Sequence, residues 1–191
     1  MHLLQSAMRG IEVIDSIDHH IHGIVTGTII DPDRAKIIAF IIGRFGFPEP
    51  HALMTQDIES WGNRIHIRDV DVLGELSDFV RLNQYRNDDR SFIGQEIRTK
   101  SGQRIGRCAD VQFRTDTFDL EWIFPRRFFR KALPLPISEI VEVTPEAIII
   151  KDQGVKKEVI PAEESAENSI TDPVITPAAG MRGDTMSDKT L

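Results

Sequence analysis

From position 11 to position 150 the chain is built of short apolar blocks separated by turn residues, with little of the three-to-four spacing that marks helices. Val111 and Phe113 alternate with polar neighbours, as on a half-buried strand. The block Ile37, Ile38, Phe40, Ile41 and Ile42 is β-branched and aromatic, which favours the pleated surface of a sheet. The pattern predicts strands over 11–15, 24–30, 37–42, 65–67, 96–99, 108–113 and 147–150. Between them, Asp31-Pro32-Asp33-Arg34 and Ser101-Gly102 carry the proline and glycine of tight turns. Short strands at this spacing point to a small antiparallel barrel or sandwich, not to βαβ units. Only 73–85 has a helical stripe: Leu73, Leu76, Phe79, Val80 and Asn83 predict about three turns.

The pattern occurs twice. Gly10 corresponds to Gly94, Gly23 to Gly106, Asp33 to Asp116, and Asp57-Ile58 to Glu139-Ile140, an offset that drifts only from 84 to 82 residues. Tandem duplication with small loop changes produces such a drift. The expected architecture is therefore mainly β: two tandem small antiparallel β-barrels with a short linker helix and a C-terminal tail. The modules are expected over 1–72 and 91–152, the helical linker over 73–90. Residues 153–191 are rich in Glu, Ser, Thr, Pro and Ala, lack aromatics, and are expected to be disordered. Within them, 155–160 could add an edge strand to the second module.

The order of these elements resembles the PRC-barrel family, named for the H subunit of the photosynthetic reaction centre and including the C-terminal domain of a ribosome maturation factor. The second copy carries the clearer match, in Ile105-Gly106-Arg107-Cys108-Ala109-Asp110-Val111 and Leu135-Pro136-Ile137-Ser138-Glu139-Ile140. The first matches through Val13, Gly23, Asp31-Pro32-Asp33 and Asp57-Ile58. It departs at Gly27, where the family has Asp, and at Met54-Thr55-Gln56, where it has proline. The resemblance implies an adaptor module with no general catalytic residue set and no cofactor.

Charge and candidate chemistry sharpen this only locally. A net charge of -7 argues against non-specific binding to nucleic acid or anionic membranes. The lone Cys108 excludes an internal disulfide, and no apolar run approaches the length of a membrane span, so a cytoplasmic protein is expected. Cys108 sits mid-strand, where a buried inert thiol is the norm. Asp69 and Asp71 read as a solvated turn. His19, His20 and His22 are metal-like in composition, with His20 and His22 on one face of an extended chain. They lack the third and fourth ligands of a fixed site, and a solvated loop is the simpler reading. No enzymatic constellation stands out.

The most informative stretch is Phe124-Pro125-Arg126-Arg127-Phe128-Phe129-Arg130-Lys131, basic and aromatic in an acidic protein. Its arginines suit an acidic protein surface, RNA phosphates or a membrane interface, while a structural alternative has Phe128 and Phe129 covering the barrel core. The first copy has Gly43-Arg44-Phe45-Gly46-Phe47-Pro48 at this place. Shared aromatics favour a structural role for the rings, and the added arginines of the second copy a functional one. The expected function is a non-enzymatic scaffold that binds a protein or ribonucleoprotein partner through Arg126, Arg127, Phe128, Phe129, Arg130 and Lys131. The rivals are an RNA-processing or ribosome-assembly factor and a peripheral component of a membrane or photosynthetic complex.

Overall fold

A computed structural model describes residues 1–127, 133–152 and, through their backbone, 130–131. The expectations of a disordered tail and of an edge strand over 155–160 lie outside the described residues. In chain order the elements are β1 (His2–Leu4), β2 (Glu12–Asp15), β3 (Ile21–Asp31), β4 (Lys36–Gly43), β5 (His51–Met54), β6 (Ile58–Trp61), β7 (Ile65–Ile67), β8 (Gly74–Glu75) and α1 (Val80–Arg86). There follow β9 (Glu96–Thr99), β10 (Arg104–Arg114), β11 (Leu120–Arg127), β12 (Arg130–Lys131), β13 (Leu135–Pro136), β14 (Ile140–Val143) and β15 (Ala147–Ile150). The chain is mainly β, with a curled sheet and one helix among the described residues. That helix is too short to cross a membrane.

The strands form two sheets with one shared order. The first runs β6-β7-β2-β3-β4-β5-β8; the second runs β14-β15-β9-β10-β11, with β12 and β13 both on β11. In each, a single parallel pair (β2 with β7, β9 with β15) sits among antiparallel ones. No pairing among the described residues joins the end strands of either sheet into a closed barrel. The irregularities recur too. β3 slips against β4 between Val25 and Gly27 and between Ile29 and Ile30, and β10 slips against β11 between Cys108 and Asp110 and between Gln112 and Phe113. Such bulges bend a strand and increase its twist, which is how a short sheet curls round its own core.

Gly23 and Gly106 show what that curl demands. A Cβ on Gly23 would lie 2.5 Å from the Gly43 carbonyl oxygen, and one on Gly106 would lie 2.8 Å from that of Arg126. Backbone approaches backbone there, and no side chain can bend away to make room.

The sheets share one apolar core, which runs from Val13, Phe40 and Ile65 of the first half to Phe113, Ile123 and Ile148 of the second. Their hairpin tips join directly: the Ile37 amide donates to the Phe118 carbonyl (2.9 Å) and the Leu120 amide to the Ala35 carbonyl (2.8 Å). Ala35 and Phe118 stand 83 residues apart, as do Ile37 and Leu120, so each bond is the counterpart of the other. Both Ala35 (φ 49°) and Phe118 (φ 63°) adopt the left-handed conformation that ends the turn.

Asymmetry enters at the chain entry. β1 leaves the first half and pairs with β10, Leu3 opposite Phe113. The Ser6 amide and hydroxyl then donate to the Asp110 carboxylate, which fixes the following 3-10 turn, Gln5–Met8. At the corresponding edge of β3 lies α1, whose Tyr85 hydroxyl donates to Asp31 (3.2 Å). The linker differs from the three-turn helix expected over 73–85. Gly74–Glu75 pairs with β5, Leu76–Asp78 forms a 3-10 turn, and the helix begins only at Val80. Its buried face carries Leu82 with Phe79 and Tyr85, while Val80 is 74% exposed. The extended segment is held by its pairing with β5, which cuts the apolar stripe in two.

Gly106→Ala is expected to lower unfolding stability by roughly 1–3 kcal/mol, the cost of overpacking a site that cannot relax. Gly62→Ala, where a Cβ meets nothing within 4 Å, should stay within about 0.5 kcal/mol of wild type in the same urea titration.

Candidate functional site

β11 ends at Arg127 and the chain returns as β12, with Arg126 opposite Lys131 and Arg127 opposite Arg130. The basic stretch is thus a strand hairpin at the margin of the second sheet, and Phe128 and Phe129 lie outside the described residues. Arg126 and Arg127 are exposed, while Pro125 just before them is buried. The neighbouring strand adds two arginines that the linear stretch does not contain. Arg107 of β10 stands opposite Arg126, and Arg104 begins the same strand. Arg104, Arg107, Arg126 and Arg127 line one concavity whose floor is Ile105 and Gly106. The missing side chain at Gly106 lets the two strands approach and leaves bare backbone between the arginines.

One carboxylate bounds this cluster. Glu96, opposite Arg107 on β9, accepts from Arg98 Nε at 2.6 Å and lies 3.6 Å from Arg104 Nε. The bond from Arg98 holds its carboxyl below the usual range, and the charges of Arg104 and Arg107 add to the effect. Arg107 spends one N–H on the Gly94 carbonyl (3.0 Å). Among the described residues Arg107, Arg126 and Arg127 have no ion-pair partner within 4.0 Å. Guanidiniums with open donors around one concavity can take carboxylates or phosphates two N–H groups at a time.

The corresponding place in the first half is organised differently. Arg44 donates to the His22 carbonyl (3.2 Å), and its guanidinium sits 4.3 Å from the Phe47 ring centroid. Phe47 in turn meets His51 edge-on at 5.6 Å. Phe45 is 85% exposed, so in this half the rings do not cover the core as their recurrence suggested. The loop holds its one arginine locally and leaves Phe45 to solvent.

The histidines separate. His22 Nε2 lies 2.9 Å from Asp15 Oδ2, and Asp15 Oδ1 accepts the amides of Ile17 and Asp18. His19 takes a left-handed turn conformation (φ 56°) and His20 is exposed. Among the described residues no group of three or more His, Cys, Asp or Glu is placed to hold a metal ion. Asp69 accepts the Asp71 amide (2.9 Å) and caps the turn Val70–Val72. Cys108 is buried, and loss of solvent pushes its thiol up to about 12, far from a nucleophile's range.

Arg104 and Arg107 are the residues the linear reading did not bring to the site. A partial signal was present: Arg104 and Arg107 flank Ile105-Gly106, just ahead of the strand expected over 108–113. Distance along the sequence hid the cluster, because antiparallel pairing joins residues about twenty positions apart.

Bonds from the Asp18 amide, then from His22, lower the Asp15 carboxyl from 3.8 to about 2. A depressed carboxyl contributes stability above its unfolded value and loses it as pH falls through the folded one. The urea midpoint of wild type should therefore exceed that of Asp15→Asn at neutral pH, and the gap should close between about pH 4 and 2. No protein-family model matches the chain, and no curated protein matches it, so the reading of the site rests on its geometry.

Proposed function

We propose that the chain is a non-enzymatic scaffold of two tandem PRC-barrel-like modules that docks an acidic protein surface on the arginine cluster of β10 and β11. The module assignment is supported by the strand order and the bulges shared by the two sheets. The docking assignment is carried by one observation: Arg104, Arg107, Arg126 and Arg127 converge on one concavity, and only Glu96 answers them among the described residues. A protein with a net charge of -7 repels polyanions at long range, so a positive face of this kind selects partners by local fit more than by steering. An acidic protein surface, with carboxylates that pair singly with arginines and apolar area to meet the exposed Trp122, matches that face.

Fluorescence anisotropy of a labelled glutamate-rich peptide and of a structured RNA hairpin, each titrated with the full chain, tests this. The peptide should bind, and Arg107→Glu with Arg126→Glu should weaken it at least about tenfold while leaving the urea midpoint near wild type. RNA bound more tightly than the peptide, with a steep salt dependence that the double variant flattens, would move the reading to ribosome assembly or RNA processing. Binding of neither probe, or peptide binding indifferent to the double variant, would overturn it.

A further inference from the structure

The two halves fill corresponding spaces unequally. Behind the joined hairpin tips, on one side, four aromatic rings interlock: Phe40, Trp61, Phe113 and Phe118. Trp61 lies 5.5 Å from Phe40, 5.7 Å from Phe118 and 6.4 Å from Phe113, ring centroid to ring centroid. On the other side the corresponding positions are Ile123 for Phe40, Val143 for Trp61, Ile30 for Phe113 and Ala35 for Phe118. Every ring has become a smaller aliphatic group. The difference is open space: Ala35 and Val143 line a cleft of about 530 Å³ between the first half's turn and β14, with Phe92 and Ile140 beside them. That volume falls within the ~300–1,000 Å³ typical of ligand sites.

The mouth of the cleft is acidic. Asp33 and Glu142 stand on it, and the one guanidinium there, Arg90, is bound by both Asp33 and Asp88. Two lining carboxylates against one cation, which Asp88 also binds from outside the lining, leave the cleft net negative beside its apolar residues. We propose that this cleft is a binding site for an aromatic ring bearing a positive charge, held as a free aromatic amine or as an aromatic side chain next to a basic residue. The ring takes the space that Trp61 and Phe118 occupy on the other side. Its cationic group meets Asp33 and Glu142.

The test uses the full chain with labelled Ala and Val methyls, followed by NMR during titration with tryptamine, indole and indole-3-acetate. The methyls of Ala35 and Val143 should shift, with tryptamine saturating at roughly tenfold lower concentration than indole and indole-3-acetate weakest. Ala35→Phe should abolish the shift at Val143; the backbone accepts phenylalanine there, since Phe118 adopts the equivalent conformation. Val143→Trp, read at Ala35, should do the same should the first variant fold poorly. Glu142→Gln should reduce the preference for tryptamine over indole and leave indole unchanged. A Lys-Trp-Lys peptide that binds more tightly than tryptamine assigns the natural ligand to a polypeptide; the reverse assigns it to a small molecule. Absence of shifts at Ala35 and Val143 with all three ligands at about 10 mM, or equal affinity for all three, would overturn the proposal.

Discussion

Two hydrogen bonds between hairpin tips, Ile37 to Phe118 and Leu120 to Ala35, organise the rest of this molecule. Each hairpin ends on a left-handed residue, and each presents there one carbonyl and one amide to the other half. With this pairing in place the two sheets close over a common core, and the apolar faces of Phe40 and Phe113 become interior. A single module of this length would leave much of that face wet, since small domains bury only about 60% of their unfolded surface. The joined tips are thus the feature through which either sheet gains enough burial to be stable.

The same junction explains where the halves diverge. A reciprocal contact between equivalent residues makes the two cores counterparts of each other, yet nothing requires the side chains behind it to be equal. On one side the aromatic cluster closes the core at the expense of an indole N–H left without a partner on Trp61 among the described residues. Such an orphan donor costs about 1–3 kcal/mol, which the packing of three neighbouring rings offsets. On the other side small aliphatic residues keep the core sealed at Val143 and leave the cleft outside it.

Much of this architecture was legible from spacing. The turn chemistry of Asp31-Pro32-Asp33-Arg34 is realised as Asp31 accepting the amides of Asp33 and Arg34, and the expected strands over 24–30 and 37–42 lie within β3 and β4. What was not legible depended on pairing partners far along the chain. β1 is a strand only because β10 offers it an edge, and Gly74–Glu75 is extended only because β5 does. Local propensity carries no trace of either. The linker's apolar stripe was real, but tertiary pairing divided it and turned Val80 outward in favour of Leu82.

The candidate site shows the same limit in chemical form. Composition singled out Arg126 and Arg127 because they stand in a run of basic and aromatic residues. A surface, however, is defined across strands, and the row Glu96, Arg107, Arg126 and Lys131 crosses β9, β10, β11 and β12 with each residue from a different segment. Beside that row Gly106 matters as much as the arginines: it brings the backbones of β10 and β11 together at the concavity that Arg104, Arg107, Arg126 and Arg127 line. Strand pairing, not a loop conformation, sets the register of the residues in this cluster. Its counterpart around Arg44 has the same glycine and the same approach of strands at Gly23. There the guanidinium is held by the His22 carbonyl and the Phe47 ring, so the same backbone geometry carries one tethered charge in place of a cluster.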